Sequence, residues 1–470
     1  MEIPISGDVF RRALQISADL WNHPEVSGEE RHASSLLLFN AAAFGFRTAA
    51  ELDGIPNAFL AAWDTEGEEE QLQIAGTAGE AAAGNAPEEA AGAEGEGGAA
   101  LRTPSAGRIP TVAFLAEYDA LPGYGSLSPD GSGSAHACGH NWIAAAAFAA
   151  AVSLKKAAEK RKAEDPSFRA RILLLGTPAE ETWGAKIKMA EDRVFSSLGI
   201  DAAFECHLSG RPGTCFENRM LAQAEIVYTF HGKASHAAAH PEDGINALDA
   251  VNLAYQGIAC LRQQVLPDTK LHGIITEGGT ACNVIPDRTV MAYYVRSGKK
   301  DYLENVVERV NNCARGAALM TGCTVEIRRN AFTFYDIRNN ASLIRRALEK
   351  LPGAAERAAQ SEGLRAEERE DLTADAGRIR QDSVFGAVSG DIGNVSYDVP
   401  AFYGVFSTAP VSCGADVHDR EYVAVTDSAY AHALLAEAAS VMAETAWDVL
   451  TDRAFRESVR RDFERGILTE

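Results

Sequence analysis

Five places in the sequence carry side chains whose types and spacing can do chemistry together. Asp119 lies in the run Glu117-Tyr118-Asp119-Ala120-Leu121-Pro122, and Cys138 and His140 flank a glycine in His136-Ala137-Cys138-Gly139-His140-Asn141. Glu180 and Glu181 are adjacent in Thr177-Pro178-Ala179-Glu180-Glu181, and His207 and His418 stand further along. A thiolate and an imidazole two residues apart in a tight turn can meet one cation. Adjacent glutamates suit a division of labour, one ligating a metal and the other, just outside it, removing a proton from the attacking water. Each feature also has a plainer reading. Asp119 serves equally as a turn former or helix cap, Cys138 as a buried thiol beside a capping histidine, and the paired glutamates as favourable first-turn charges.

These residues need elements to position them. Apolar runs of strand length occupy 58–63, 111–116, 171–176, 202–207 and 401–406, and helical patterns occupy 8–22, 29–44, 141–160, 185–198 and 426–450. The alternation predicts an α/β fold with a mainly parallel sheet covered by helices. Asp119, the Glu180–Glu181 pair, His207 and His418 then fall at or just after strand carboxyl ends, where such sheets place their sites. Convergence of this kind is better explained by a two-metal site than by separate coincidences. Between about 221 and 329 the rhythm becomes β-α-β-β-α-β, a ferredoxin-like sandwich inserted into the α/β domain. The expected domains are therefore 1–219 with 333–470, holding the metal residues, and 220–332. Two stretches rich in Ala and charge, 66–108 and 353–383, read as low-complexity surface insertions; the first is expected to be a mobile loop and the second has room for a short solvated helix.

The whole chain has 470 residues, with 44 Lys+Arg against 66 Asp+Glu and a net charge of -22. Such an excess of acid disfavours nucleic acid and anionic membrane surfaces as partners, because both require clustered cations. Eight cysteines without a CxxC pair read as reduced thiols. No run of about 18 apolar residues and no secretory-type leader is visible, so the expected location is cytoplasmic.

The chain resembles the zinc- or manganese-dependent aminoacylase and carboxypeptidase metallopeptidases. Within them it looks most like the amidohydrolase branch that includes aminobenzoyl-glutamate hydrolase and β-alanyl-lysine dipeptidase. The motifs above carry the likeness, together with 232–238, 244–249, 261–264, 272–276, 283–286, 293–296 and Gly390-Asp391-Ile392-Gly393-Asn394. The resemblance implies a metal-dependent hydrolase of the amide in a small dipeptide or N-acyl amino acid, with a non-catalytic metal- or amino-acid-binding protein as the alternative. It implies two divalent ions, Zn or Mn, held by Cys138, His140, Glu181, His207 and His418. Glu180 would be the general base and then the acid, and Asp119 would orient a ligating histidine. His236 and Asn283 would stabilise the oxyanion, the histidine coming from the partner of a homodimer, so that 220–332 would be a lid and dimerisation domain. Arg296 would face the substrate carboxylate, and Gly390 belongs to the same substrate-binding set. Three departures concern the pocket: Thr182 and Trp183 replace a glycine-rich run and put a large ring near the metals, Cys282 replaces a proline, and 126–134 lengthens the turn before Cys138.

Overall fold

The computed structural model describes residues 1–67, 108–375 and 388–466. Most of the 66–108 stretch lies outside these residues, as does 376–387. The strands are β1 (Arg47–Ala50), β2 (Phe59–Asp64), β3 (Thr111–Ala116), β4 (Leu121–Pro122), β5 (Ser134–Ala135), β6 (Arg171–Gly176), β7 (Ala202–Ser209), β8 (Ala222–His231), β9 (Lys270–Glu277), β10 (Arg288–Ser297), β11 (Thr324–Arg329) and β12 (Ala401–Ser407).

The larger sheet has the order β1-β2-β6-β3-β7-β12. The strands β6, β3, β7 and β12 run parallel, whereas β2 pairs antiparallel with β6 and β1 antiparallel with β2. The sheet is thus mixed, and the expectation of a mainly parallel sheet holds only for its central and β12 side. Arg47-Thr48-Ala49-Ala50 is a four-residue edge strand without an apolar run, so periodicity could not reveal it. Every residue of β3 and β6 is buried, as strands covered on both faces require. Alternate side chains part to the two sides. Val112, Phe114 and Ala116 join the helices Gly7–Asn22, His140–Glu164, Ala341–Ala358 and Ala429–Thr451, while Ala113 and Leu115 face Ala185–Glu191 and Ile392–Asp398. The helix His140–Glu164 is buried without interruption from His140 to Leu154, and its alanines let the sheet and neighbouring helices approach closely.

Residues 353–358 correct the insertion reading. They continue the helix Ala341–Ala358, and Ala354, Ala355, Leu364 and Leu372 are buried in the main core. Their small apolar side chains pack, although the composition reads as low complexity. The span expected as one helix over 185–198 is two, Ala185–Glu191 and Val194–Ser197, because Arg193 takes a left-handed φ of 59°.

A second antiparallel sheet, β11-β8-β10-β9, contains the residues between the two halves of the larger unit. Its β8 alternates buried and half-exposed positions, and the helices Ala247–Leu261 and Lys300–Thr321 close a separate core on Ile226, Tyr228, Val251, Ile258, Val306 and Val310. Among the described residues no helix is long and apolar enough to cross a membrane.

Candidate metal centre

The carboxyl edge of the parallel strands gathers the chemistry-bearing side chains. From β3 the chain continues into buried Glu117 and Asp119, and the β4–β5 ribbon then leads it back through Cys138 to His140. Gly139 between them has φ 87°, a left-handed turn that glycine adopts without strain, and an added Cβ would meet Leu208 at 3.4 Å. Glu180 and Glu181 follow β6 in a turn whose Ala179 also has positive φ, 62°, held by its N–H donating to Glu30 Oε1 at 2.8 Å. His207 lies within β7. His418 has φ 72° and is tied down on both sides: its N–H donates to the Ala137 carbonyl at 3.0 Å and its carbonyl accepts the Tyr124 hydroxyl at 2.7 Å. Non-glycine residues in this region cost about 1–3 kcal/mol each, so strain is stored beside the donor cluster.

Cys138 Sγ lies 3.4 Å from His207 Nε2 and 3.3 Å from His418 Nε2. His418 Nε2 is 3.3 Å from Glu181 Oε1, and His140 Nε2 faces Glu117 Oε2 at 3.5 Å and Glu181 Oε1 at 3.8 Å. Cys138 therefore belongs to two donor groups at once, with His140 and His207 and with Glu181 and His418, and His140, Glu180 and Glu181 form an overlapping third. The buried atoms His140 Nε2, Glu181 Oε1 and Glu117 Oε2 have no hydrogen-bond partner among the described residues. Each such atom costs about 1–3 kcal/mol, and a cation between them would satisfy all three. A thiol, imidazoles and carboxylates together suit a borderline divalent ion, so the residues fit a metal.

Asp119 governs the orientation of His140. Its Oδ1 accepts from His140 Nδ1 at 2.9 Å, and its Oδ2 accepts from the Ser27 hydroxyl at 2.7 Å and the Glu181 N–H at 3.0 Å. A proton is thereby kept on Nδ1, so that Nε2 is the ring nitrogen presented to the other donors. Burial opposes ionisation of Asp119, but the His140 charge and these hydrogen bonds prevail and hold its carboxyl at about 2. Glu180 has the opposite environment: burial first, then Glu117, Glu181 and Asp391, push its carboxyl well above the usual range.

A buried cluster behind Glu180 escaped the sequence reading. Lys186 Nζ touches Glu117 Oε1 and lies 2.9 Å from Glu205 Oε2 and 2.8 Å from Asp391 Oδ1, all four side chains being almost fully buried. The Lys186 backbone N–H also donates to Asp391 Oδ2 at 3.2 Å. Burial disfavours the ammonium, but Asp391, Glu117 and Glu205 outweigh it and keep Lys186 charged. The available signal was Glu205, an acid inside the apolar strand that carries His207.

A cavity of about 200 Å³ is lined by Cys138, Glu180, Glu181, His207, His418 and Gly390, and also by Tyr403, Arg211 and Arg219. A larger groove of about 920 Å³ near the N-terminus is lined by Lys156, Lys160 and Arg161, with no histidine or cysteine among its described residues. The donor cluster marks the smaller cavity as the reactive one. Gly390 packs against Glu180: a Cβ there would sit 3.4 Å from Glu180 Oε1. Arg296 Nη1 reaches Ser389 Oγ at 3.5 Å, beside Gly390. His236 and Asn283 are brought to each other, the Ala237 N–H donating to the Asn283 carbonyl at 3.0 Å, but both are exposed and neither lines the cavity. Trp183 does not crowd the donors. Its ring packs on Phe332 at 5.5 Å between centroids, because the turn after Glu181 directs it toward the residues following β11.

Residues 113–453 match the Peptidase family M20/M25/M40. The chain is 33% identical over 468 residues to the Xaa-Arg dipeptidase of Mus musculus, covering 98% of this chain and 91% of that protein. It is 30% identical to one of the subunits of the p-aminobenzoyl-glutamate hydrolase of Escherichia coli, covering 68% of this chain and 57% of that protein. In fold it resembles the crystal structure of a dinuclear metal-binding peptidase from Bacillus subtilis, with TM-score 0.57, 18% identity and coverage of 93% and 98% of the two chains. The length of the family match, spanning every donor from Cys138 to His418, places this chain in the M20/M25/M40 family of peptidases.

Proposed function

We propose that this chain is a metal-dependent hydrolase of the amide bond in a small dipeptide or N-acyl amino acid. The observation that carries the reading is the convergence of five donors, with buried atoms among them and on Glu117 left unpartnered, around a half-buried Glu180. Cys138, His140, Glu181, His207 and His418 would hold two divalent ions, Zn or Mn, and the membership of Cys138 in two donor groups supports a bridging role. Ions held there supply Lewis-acid polarisation of the scissile carbonyl and make water a better nucleophile. Glu180 takes the proton of the attacking water and delivers it to the leaving amine. The like charges around it suit that relay, since they make the carboxyl a ready proton acceptor. Asp119 keeps His140 in the tautomer that can ligate.

Arg296, which reaches Ser389 on the cavity rim, and the adjacent Gly390 are read as the carboxylate end of the substrate site, where a guanidinium offers a bidentate donor. His236 and Asn283 are read as oxyanion donors. Their exposure and distance from the cavity support a supply across a homodimer, in which His236 serves the partner's site. The β9 edge supports the same reading: Ile274 is 64% and Ile275 37% exposed on a strand that pairs with β10 on one side and has no neighbouring strand on the other among the described residues, a surface that edge-to-edge pairing would cover. Residues 220–332 would then form a ferredoxin-like lid and dimerisation domain, and 1–219 with 333–470 the catalytic domain. Eight free thiols are consistent with a reducing, cytoplasmic setting.

The test is a screen of Xaa-Arg dipeptides, β-alanyl amino acids and aminobenzoyl-glutamate with Zn²⁺- or Mn²⁺-loaded protein, alongside Glu180→Gln. Hydrolysis of at least one of these amides is expected, with kcat reduced by about 10²–10⁴-fold in the variant and metal content unchanged. Near-normal turnover by a metal-loaded Glu180→Gln protein would sink the mechanism.

A further inference from the structure

We propose that Tyr403 is a further catalytic residue, whose phenolic hydroxyl donates a hydrogen bond to the oxygen of the scissile carbonyl; the inference rests on the amide-hydrolysis reading above. Tyr403 is the one residue of β12 that is not fully buried, and it lines the cavity that holds Cys138, Glu180 and His418. The parallel pairing of β12 with β7 sets Tyr403 beside Glu205 and brings its ring to 6.2 Å from the His207 ring, between centroids. Its backbone is pinned from the other side, the Tyr403 carbonyl accepting from Asn218 Nδ2 at 2.8 Å. The ring is therefore held at the reactive end of the cavity by a strand and a ligand-type histidine. Among the described residues the hydroxyl of this half-buried side chain makes no hydrogen bond, so its O–H is available to a substrate in the cavity.

The surroundings define what that hydroxyl is for. Glu117, Glu180, Glu205 and the Cys138 sulfur are all acceptors, and the serine hydroxyls of the lining already donate elsewhere, Ser209 to Asp416 Oδ1 at 3.3 Å and Ser389 to the Leu221 carbonyl at 2.7 Å. The other donors are placed elsewhere: Arg211 pairs with Asp416 at 3.1 Å, Arg219 also has a partner, and Arg296, His236 and Asn283 do not line the cavity of their own chain. As the water oxygen bonds to the carbonyl carbon, the carbonyl π pair moves onto oxygen, and the Tyr403 hydroxyl shares its proton with that oxygen without giving it up. When the C–N bond breaks, the oxygen recovers its double bond and the amine nitrogen takes the proton carried by Glu180. Tyr403 ends the cycle unchanged.

Tyr403→Phe keeps the ring and its packing and deletes the donor. With the best amide from the screen and metal-loaded protein, kcat should fall by about 10²-fold while KM changes less than about threefold. Binding of a tetrahedral phosphinate dipeptide analogue, measured by calorimetry, should weaken by a similar factor, with bound metal and affinity for the product amino acid unchanged. A variant whose kcat and phosphinate affinity stay within about threefold of wild type, or whose loss lies in KM alone, overturns the inference. An active wild type with an unaffected variant sinks this inference alone, whereas a wild type inactive on every amide sinks it together with the hydrolase reading.

Discussion

Replacing Lys186 by Met removes the cation from a buried carboxylate cluster while keeping the apolar stem. The Lys186 ammonium is 2.8 Å from Asp391 Oδ1 and 2.9 Å from Glu205 Oε2 and also touches Glu117. At an effective dielectric of about 20, each contact of this length is worth roughly 6 kcal/mol of Coulomb energy, most of it cancelled by the desolvation of four charged groups. What an experiment sees is the cost of leaving the anions uncompensated, about 3–5 kcal/mol for breaking a buried pair. That is a large share of a typical total stability of about 5–15 kcal/mol. Urea unfolding of metal-loaded wild type and Lys186→Met, followed by tryptophan fluorescence, should show a loss of that size near neutral pH. The deficit should shrink as pH falls. Burial already pushes Asp391 up to about 6, and without Lys186 the cluster binds protons still more tightly when folded than when unfolded. A folded pKa raised above the unfolded one contributes stability at low pH that is lost as pH rises. Adding Glu205→Gln to Lys186→Met should restore part of the loss, with a coupling of at least about 1.5 kcal/mol. A loss below about 1 kcal/mol, or strict additivity of the two changes, would refute the charge-compensation argument.

Two further outcomes concern Asp119. Asp119→Asn preserves shape but no longer selects the His140 tautomer, so calorimetry should report metal affinity lower by about 10–100-fold with the fold intact. In the metal-free wild type, the Asp119 carboxyl is depressed from 3.8 to about 2, which gives stability present above pH 4 and lost as pH falls toward 2. The loss should amount to about 2 kcal/mol over that window and be absent in Asp119→Asn, as acid denaturation curves would show.

Much of the centre was legible before any fold was known, because a metal site demands particular residue types at strand ends. Cys138, His140, Glu180, Glu181, His207 and His418 fall in overlapping donor groups, with Asp119 hydrogen-bonded to His140, and the strands that deliver them are continuous apolar runs. The antiparallel edge was not legible, since Arg47–Ala50 has no pattern that distinguishes it from a loop. Nor was the packing of 353–358, where alanines that read as low complexity fill a helix interface.

The one-dimensional order of residues was enough to specify which chemistry is available: donor types, their spacing, and a second glutamate beside Glu181. It could not say which charges compensate which. Lys186 meets Glu117, Glu205 and Asp391 only because β3, β7, the helix Ala185–Glu191 and the turn before Ile392–Asp398 pack together, with partners up to 205 positions apart in the chain. Likewise Tyr403 meets His207 through the pairing of β12 with β7, and Trp183 is drawn away from the donors by Phe332. Charge compensation and hydrogen-bond satisfaction act over a few ångströms in space, a distance that separation along the chain does not measure.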